Sequence, residues 1–114
     1  GRSRRPDGGF VSYKRWSRER PIPERGDAWE VVPNLAVEVV SPHDLVEELF
    51  TKLDEYFRAG VEQVWVAYPN HTLIQVFDSL TQVRGLTRND TLEGGSVLPG
   101  FQLPLASLFQ APGA

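Results

Sequence analysis

The sequence predicts an α+β domain, a mixed and mostly antiparallel sheet with one principal helix. Two observations carry that expectation. An apolar run at Leu35 to Val40 feeds a segment of helical periodicity that stops at Gly60, and beyond Gly60 lies a series of strand-like runs separated by turn signals. At 114 residues the chain is most simply one domain, residues 1–114, long enough for one core.

Arg2 to Asp7 is polar, and Gly9 to Tyr13 (GFVSY) reads as a short strand with Asp7 just before it. Lys14 to Glu30 carries two prolines, a glycine and many charges, the composition of an irregular connection. Trp16 and Trp29 within it read as lids over the core edge, with base stacking as the alternative.

Leu35 to Val40 is apolar except for Glu38, which suits a strand covered on both faces. Glu38 is the exception that needs a cause. Moving an ionised carboxylate out of water costs several kcal/mol unless a cation, a metal or a set of donors meets it.

Ser41 as cap, Pro42 at the first helical position and Asp44 as capping-box acid predict a helix from about 42 to 59, stopped by Gly60. At 100° per residue Leu45, Val46, Leu49, Phe50, Leu53, Tyr56 and Phe57 share an apolar arc. Lys52 falls at the edge of that arc beside Leu45 and Tyr56, while Glu47, Asp54, Glu55 and Arg58 point away.

Val61 to Tyr68 is rich in strand formers and ends at Pro69-Asn70, and Thr72 to Phe77 is its expected antiparallel mate. Gln82 to Thr87 continues the meander. Arg88 to Gly95 is turn-rich, and Ser96 to Phe109 holds a last short strand and a closing helical turn. One helix does not cover both faces of such a sheet, so the expectation is that another element is missing or that a partner chain, hence a homodimer, supplies the second cover.

Hydrophobic content of 40% and charged content of 24% are ordinary for a globular protein. No apolar run approaches the roughly 20 residues of a membrane span, and no signal peptide opens the chain. A cytoplasmic location with no membrane partner is the expectation. Zero cysteines exclude disulfides, thiolate zinc sites and cysteine nucleophiles. Methionine is also absent, even at position 1, as in a piece of a longer product.

Net charge is −3, but residues 1–25 hold eight basic residues (Arg2, Arg4, Arg5, Lys14, Arg15, Arg18, Arg20, Arg25) against three acidic ones, a balance of +5 that leaves −8 for the remainder. Such an arm suits a phosphate backbone such as DNA, with Arg4, Arg5, Lys14, Arg15 and Arg18 as the contacts. A solvated loop that aids solubility is the alternative.

Asp7, Glu38 and Lys52 form the best chemical constellation. Two carboxylates converging on one point hold a hard divalent cation such as Mg²⁺, with Mn²⁺ as the alternative, and a nearby ammonium can orient water or steady the transition state. The structural alternative is an ion pair of Glu38 with Lys52 at the strand-helix junction, with Asp7 capping a turn. His43 and His71 lack a second ligand at metal-like spacing, and the serines lack elbow glycines and a histidine partner.

Pro6-Asp7 before a strand, PNLAVEVVSP at 33–42, Lys52 and Tyr56 in the helix, Gly60-Val61, VWVAYP and the late LPGF together resemble the Uma-type putative restriction endonuclease family, a branch of the PD-(D/E)XK nucleases. The likeness runs from about Arg5 to Phe109. It implies a restriction-endonuclease-like core, Asp7 and Glu38 as metal-binding acids, and a lysine moved from the usual position, here Val40, to the following helix at Lys52. Asn34 stands where many members carry an aspartate. The family domain opens with a further helix and strands, so the likeness also implies a truncated N-terminus.

The expected function is Mg²⁺-dependent hydrolysis of DNA phosphodiester bonds by Asp7, Glu38 and Lys52. A non-catalytic nucleic-acid-binding or dimerisation module on the same fold is the alternative.

Overall fold

The computed structural model describes residues 8–10, as backbone only, and residues 33–109. Five strands form the main sheet: β1 (Gly8–Phe10), β2 (Leu35–Val39), β3 (Gln63–Tyr68), β4 (Leu73–Phe77) and β5 (Val83–Leu86), in spatial order β1-β2-β3-β4-β5. Among these strands only β2 and β3 run parallel, and α1 (Val46–Ala59) makes the crossover between them. A parallel pair requires such a crossover. The C-terminal part adds a small antiparallel pair, β6 (Thr91–Glu93) and β7 (Gln102–Pro104), and one helical turn, α2 (Leu105–Leu108).

Alternation along the strands divides the core in two. Ala36, Val64, Val66 and Phe77 face α1, where Leu53 and Tyr56 meet them; Leu35, Trp65, Ala67, Ile74 and Val76 face the other way. That second face is not bare. Leu92 of β6 and Leu105 of α2 are buried against it, and Val97, Leu98, Leu103, Phe109 and Phe101 complete the cover, with the Phe101 ring 5.7 Å from that of Trp65. The expectation of a missing cover is therefore corrected: the turn-rich C-terminal segment fills the role. Gly94 makes its tight path feasible, because a Cβ there would overlap the Leu98 carbonyl.

The start of α1 also departs from the expectation of residue 42. Asp44 accepts the Ser41 N–H at 2.8 Å and its own N–H reaches the Ser41 carbonyl at 3.1 Å, so residues 41–44 are spent in a turn. Leu45 stays extended (φ −94°, ψ 140°) and the helix begins after it. The expected apolar arc is buried only in part. Leu53 and Tyr56 are buried, whereas Leu45 and Val46 are 61% and 70% exposed; Phe50, 44% exposed, meets Phe77 edge-on at 6.3 Å. The first turn of α1 stands away from the sheet and leaves a gap beside the end of β2. Among the described residues no helix is long and apolar enough to cross a membrane.

The helix ends as the sequence indicates. Gly60 takes a left-handed φ of 108°, its N–H reaches the Phe57 carbonyl, and the Val61 N–H reaches the Tyr56 carbonyl at 3.0 Å. This Schellman turn satisfies the last carbonyls and aims the chain into β3. Space around Gly60 is open, so the requirement is backbone conformation alone. Gly60→Ala is expected to cost about 1–2 kcal/mol, read as a lower denaturation midpoint at unchanged m-value in urea.

Candidate active site

Glu38 owes its position to strand alternation: two residues after Ala36, it points to the α1 face of β2, opposite Val66 of β3. It is 3% exposed. Two side chains one helical turn apart on α1 converge on the same carboxylate oxygen. The Tyr56 hydroxyl donates to Oε1 at 2.7 Å, and the Lys52 ammonium lies 3.5 Å from Oε1. The i, i+4 spacing puts both heads on one face of the helix. Tyr56 is buried like its partner, while the Lys52 side chain is 38% exposed.

This group opens onto a cleft of about 30 Å³ in the gap at the start of α1, lined by Glu38, Val40, Asp44, Leu45, Glu48 and Lys52 among others. A volume of that order holds one or two water-sized occupants. Its charged lining is three carboxylates against one ammonium, so the cleft favours a cation over an approaching phosphate. Asp44 is held below the usual carboxylate range, first by the Ser41 backbone N–H; desolvation opposes the shift, and the Ser41 hydroxyl, Lys52 and His43 add to it. Because that shift is downward, the Asp44 charge persists on acidification and its support of the turn is lost only as pH falls through the depressed value.

The residues present fit a divalent cation of the Mg²⁺ class. The donors are hard oxygens with no sulfur or imidazole in the cleft lining, and Mg²⁺ takes one or two carboxylates while keeping several waters. Among the described residues no three Asp, Glu, His or Cys gather into a group that could hold a metal by itself. Glu38 is the buried acid available there.

The structure brings two of the three expected catalytic residues together, Glu38 and Lys52. Asp7 and the arm residues Arg4, Arg5, Lys14, Arg15 and Arg18 lie outside the described residues. Asn34 sits at the entry of β2, its side-chain amide donating to the Glu62 carboxylate and its backbone carbonyl accepting from the N–H groups of Glu62 and Gln63, and takes no part in the cleft. His43 and His71 are exposed. Sequence reasoning gives Tyr56 no role beyond packing. A signal is nonetheless present: a phenol on the core face of a helix needs a partner for its hydroxyl, and Tyr56 follows Lys52 by one turn.

The fold is thus an α+β one, a mixed sheet whose β2–α1–β3 unit carries a buried acid on β2 and a lysine on α1. The crystal structure of a "putative nuclease" from Anabaena variabilis ATCC 29413 is similar to it, with a TM-score of 0.72 and 16% identity, over 91% of this chain and 58% of that one. At that identity the likeness speaks to fold, and the chain spans little more than half of the solved protein's length. The model of the Uma2 family, described as "Putative restriction endonuclease", matches residues 1–106, and the chain belongs to that family. No curated protein matches the sequence.

The two contacts to Glu38 differ in kind, a hydrogen bond from a buried phenol and an ion pair from a half-exposed ammonium. Tyr56→Phe removes a buried hydrogen bond to a charged group and is expected to cost about 1.5–3 kcal/mol. Lys52→Met leaves the 3% exposed Glu38 carboxylate without its ion pair and is expected to cost more than the roughly 1 kcal/mol of a fully exposed pair. Urea denaturation of both variants gives the comparison.

Proposed function

We propose that the domain is the catalytic part of a divalent-cation-dependent DNA endonuclease that hydrolyses phosphodiester bonds at the cleft between β2 and α1. The observation that carries this reading is Glu38: a carboxylate 3% exposed, beside a cleft whose lining is net negative, with an ammonium at its edge. Membership of the Uma2 family supports it.

Glu38 is one cation ligand and Asp7 the other. Asp7 precedes Gly8, which pairs with Val37, the neighbour of Glu38, and adjacent strands lie about 5 Å apart. A bound Mg²⁺ or Mn²⁺ supplies charge neutralisation at the phosphate and a water of lowered pKa. Lys52, exposed enough to turn from Glu38 into the cleft, orients the attacking water and steadies the charge on the non-bridging phosphate oxygens. The water oxygen bonds to phosphorus as the bond to one bridging oxygen breaks; of the water's two protons one ends, by way of solvent, on the departing alcohol and the other stays with the phosphate product or passes to solvent. Arg4, Arg5, Lys14, Arg15 and Arg18 hold the backbone of the DNA.

The full-length protein is expected to nick plasmid DNA with Mg²⁺ or Mn²⁺, to stop in EDTA, and to lose cleavage in Glu38→Ala and Lys52→Ala, as read on agarose gels. Cleavage by those variants at the wild-type rate rejects the assigned roles. DNA binding that survives EDTA with no turnover under any divalent cation makes the domain a binding module instead.

Replacing the five arm residues with serine is expected to flatten the plot of log K against log salt by about 0.9 for each phosphate no longer neutralised. Fluorescence anisotropy with a labelled duplex measures that slope, and an unchanged slope removes the arm from the interface.

A further inference from the structure

We infer that Tyr56 is a positioning residue of Glu38, the α1 contact that keeps the carboxylate aimed at the cleft when Lys52 lets go of it. The inference rests on the nuclease reading and divides the labour between the two α1 side chains that meet one oxygen. Its ground is the difference between them.

The Tyr56 hydroxyl lies 2.7 Å from Oε1, an ordinary distance for an O–H donor on a carboxylate, and the residue is 5% exposed. Lys52 is 3.5 Å from the same oxygen, 38% exposed, and lines the cleft. Charge separates them further. A divalent cation entering beside Glu38 repels an ammonium on the same carboxylate and leaves a neutral phenol in place. The lysine stem has four carbons of free rotation and solvent to turn into. The tyrosine ring is packed among Leu53, Val61 and the valines of β3 and has no such exit. Arrival of the cation therefore releases Lys52 toward the substrate, and Tyr56 stays on as the α1 side chain that orients Glu38.

Binding of Mn²⁺ to the full-length protein, measured by electron paramagnetic resonance without DNA, tests this apart from any turnover. Tyr56→Phe keeps the ring and is expected to weaken Mn²⁺ affinity by about 10-fold or more, the scale seen when the outer partner of a ligand is removed. Lys52→Met is expected to leave affinity unchanged or tighter while cleavage is lost, and Glu38→Gln to abolish the site. Wild-type affinity in Tyr56→Phe, with binding lost in Glu38→Gln, overturns the inference and leaves the nuclease reading standing. Wild-type affinity in Glu38→Gln overturns both. If Tyr56→Phe fails to fold, Lys52→Met decides: weaker Mn²⁺ binding means that the lysine is itself a holder of Glu38 and overturns the division, and equal or tighter binding upholds it.

Discussion

The structure depends on how one buried carboxylate is tolerated in the interior. Glu38 sits between Ala36 and Val40 on a strand whose neighbours are apolar, and the cost of dehydrating its charge exceeds what any single exposed contact returns. The solution is local and compact. One helix brings a neutral donor and a cation to the same oxygen, so the helix that seals the core is also the one that makes the acid acceptable there. A structural ion pair and a catalytic pair share this geometry. The net negative opening beside the pair is the feature on which the proposed nuclease role rests.

The two faces of the sheet do different work. The C-terminal cover of β6, β7 and α2 is dense and apolar, with Leu92 and Leu105 fully enclosed, and a fully buried leucine of this kind contributes about 1.5–3 kcal/mol. The α1 face buries Leu53 and Tyr56 of the helix against Ala36, Val61, Val64, Val66 and Phe77, and it opens only toward the helix start. Both faces thus carry buried core. The front margin is free to hold polar groups. Because the cover behind the sheet comes from the chain itself, no partner chain is needed to shield that face.

Much of the fold is legible in the sequence because the signals are local. The strand at 35–39, the helix ending at Gly60 and the meander beyond it arise from runs of fixed period, and Glu38 and Lys52 stand out as an acid in an apolar run and a lysine at the border of an apolar arc. The helix start is not legible. Ser41, Pro42 and Asp44 fit a capping motif, but the same Asp44 to Ser41 hydrogen bond also closes a free turn, and only packing decides between them. The cover from residues 92–109 escapes the sequence because its apolar residues are scattered among turns and become one surface only in three dimensions. Tyr56 reads as core because a helical wheel counts a tyrosine as apolar and does not ask where its hydroxyl goes.

Tyr56 serves twice. Its hydroxyl holds Glu38, and its carbonyl receives the Val61 N–H in the turn that ends α1 and launches β3. The last turn of the helix is thereby fastened to both parallel strands through one residue, and its rotation about its own axis is fixed. An insertion or deletion of one residue between Lys52 and Tyr56 would swing the lysine about 100° away from the phenol and part the two side chains that meet on Glu38.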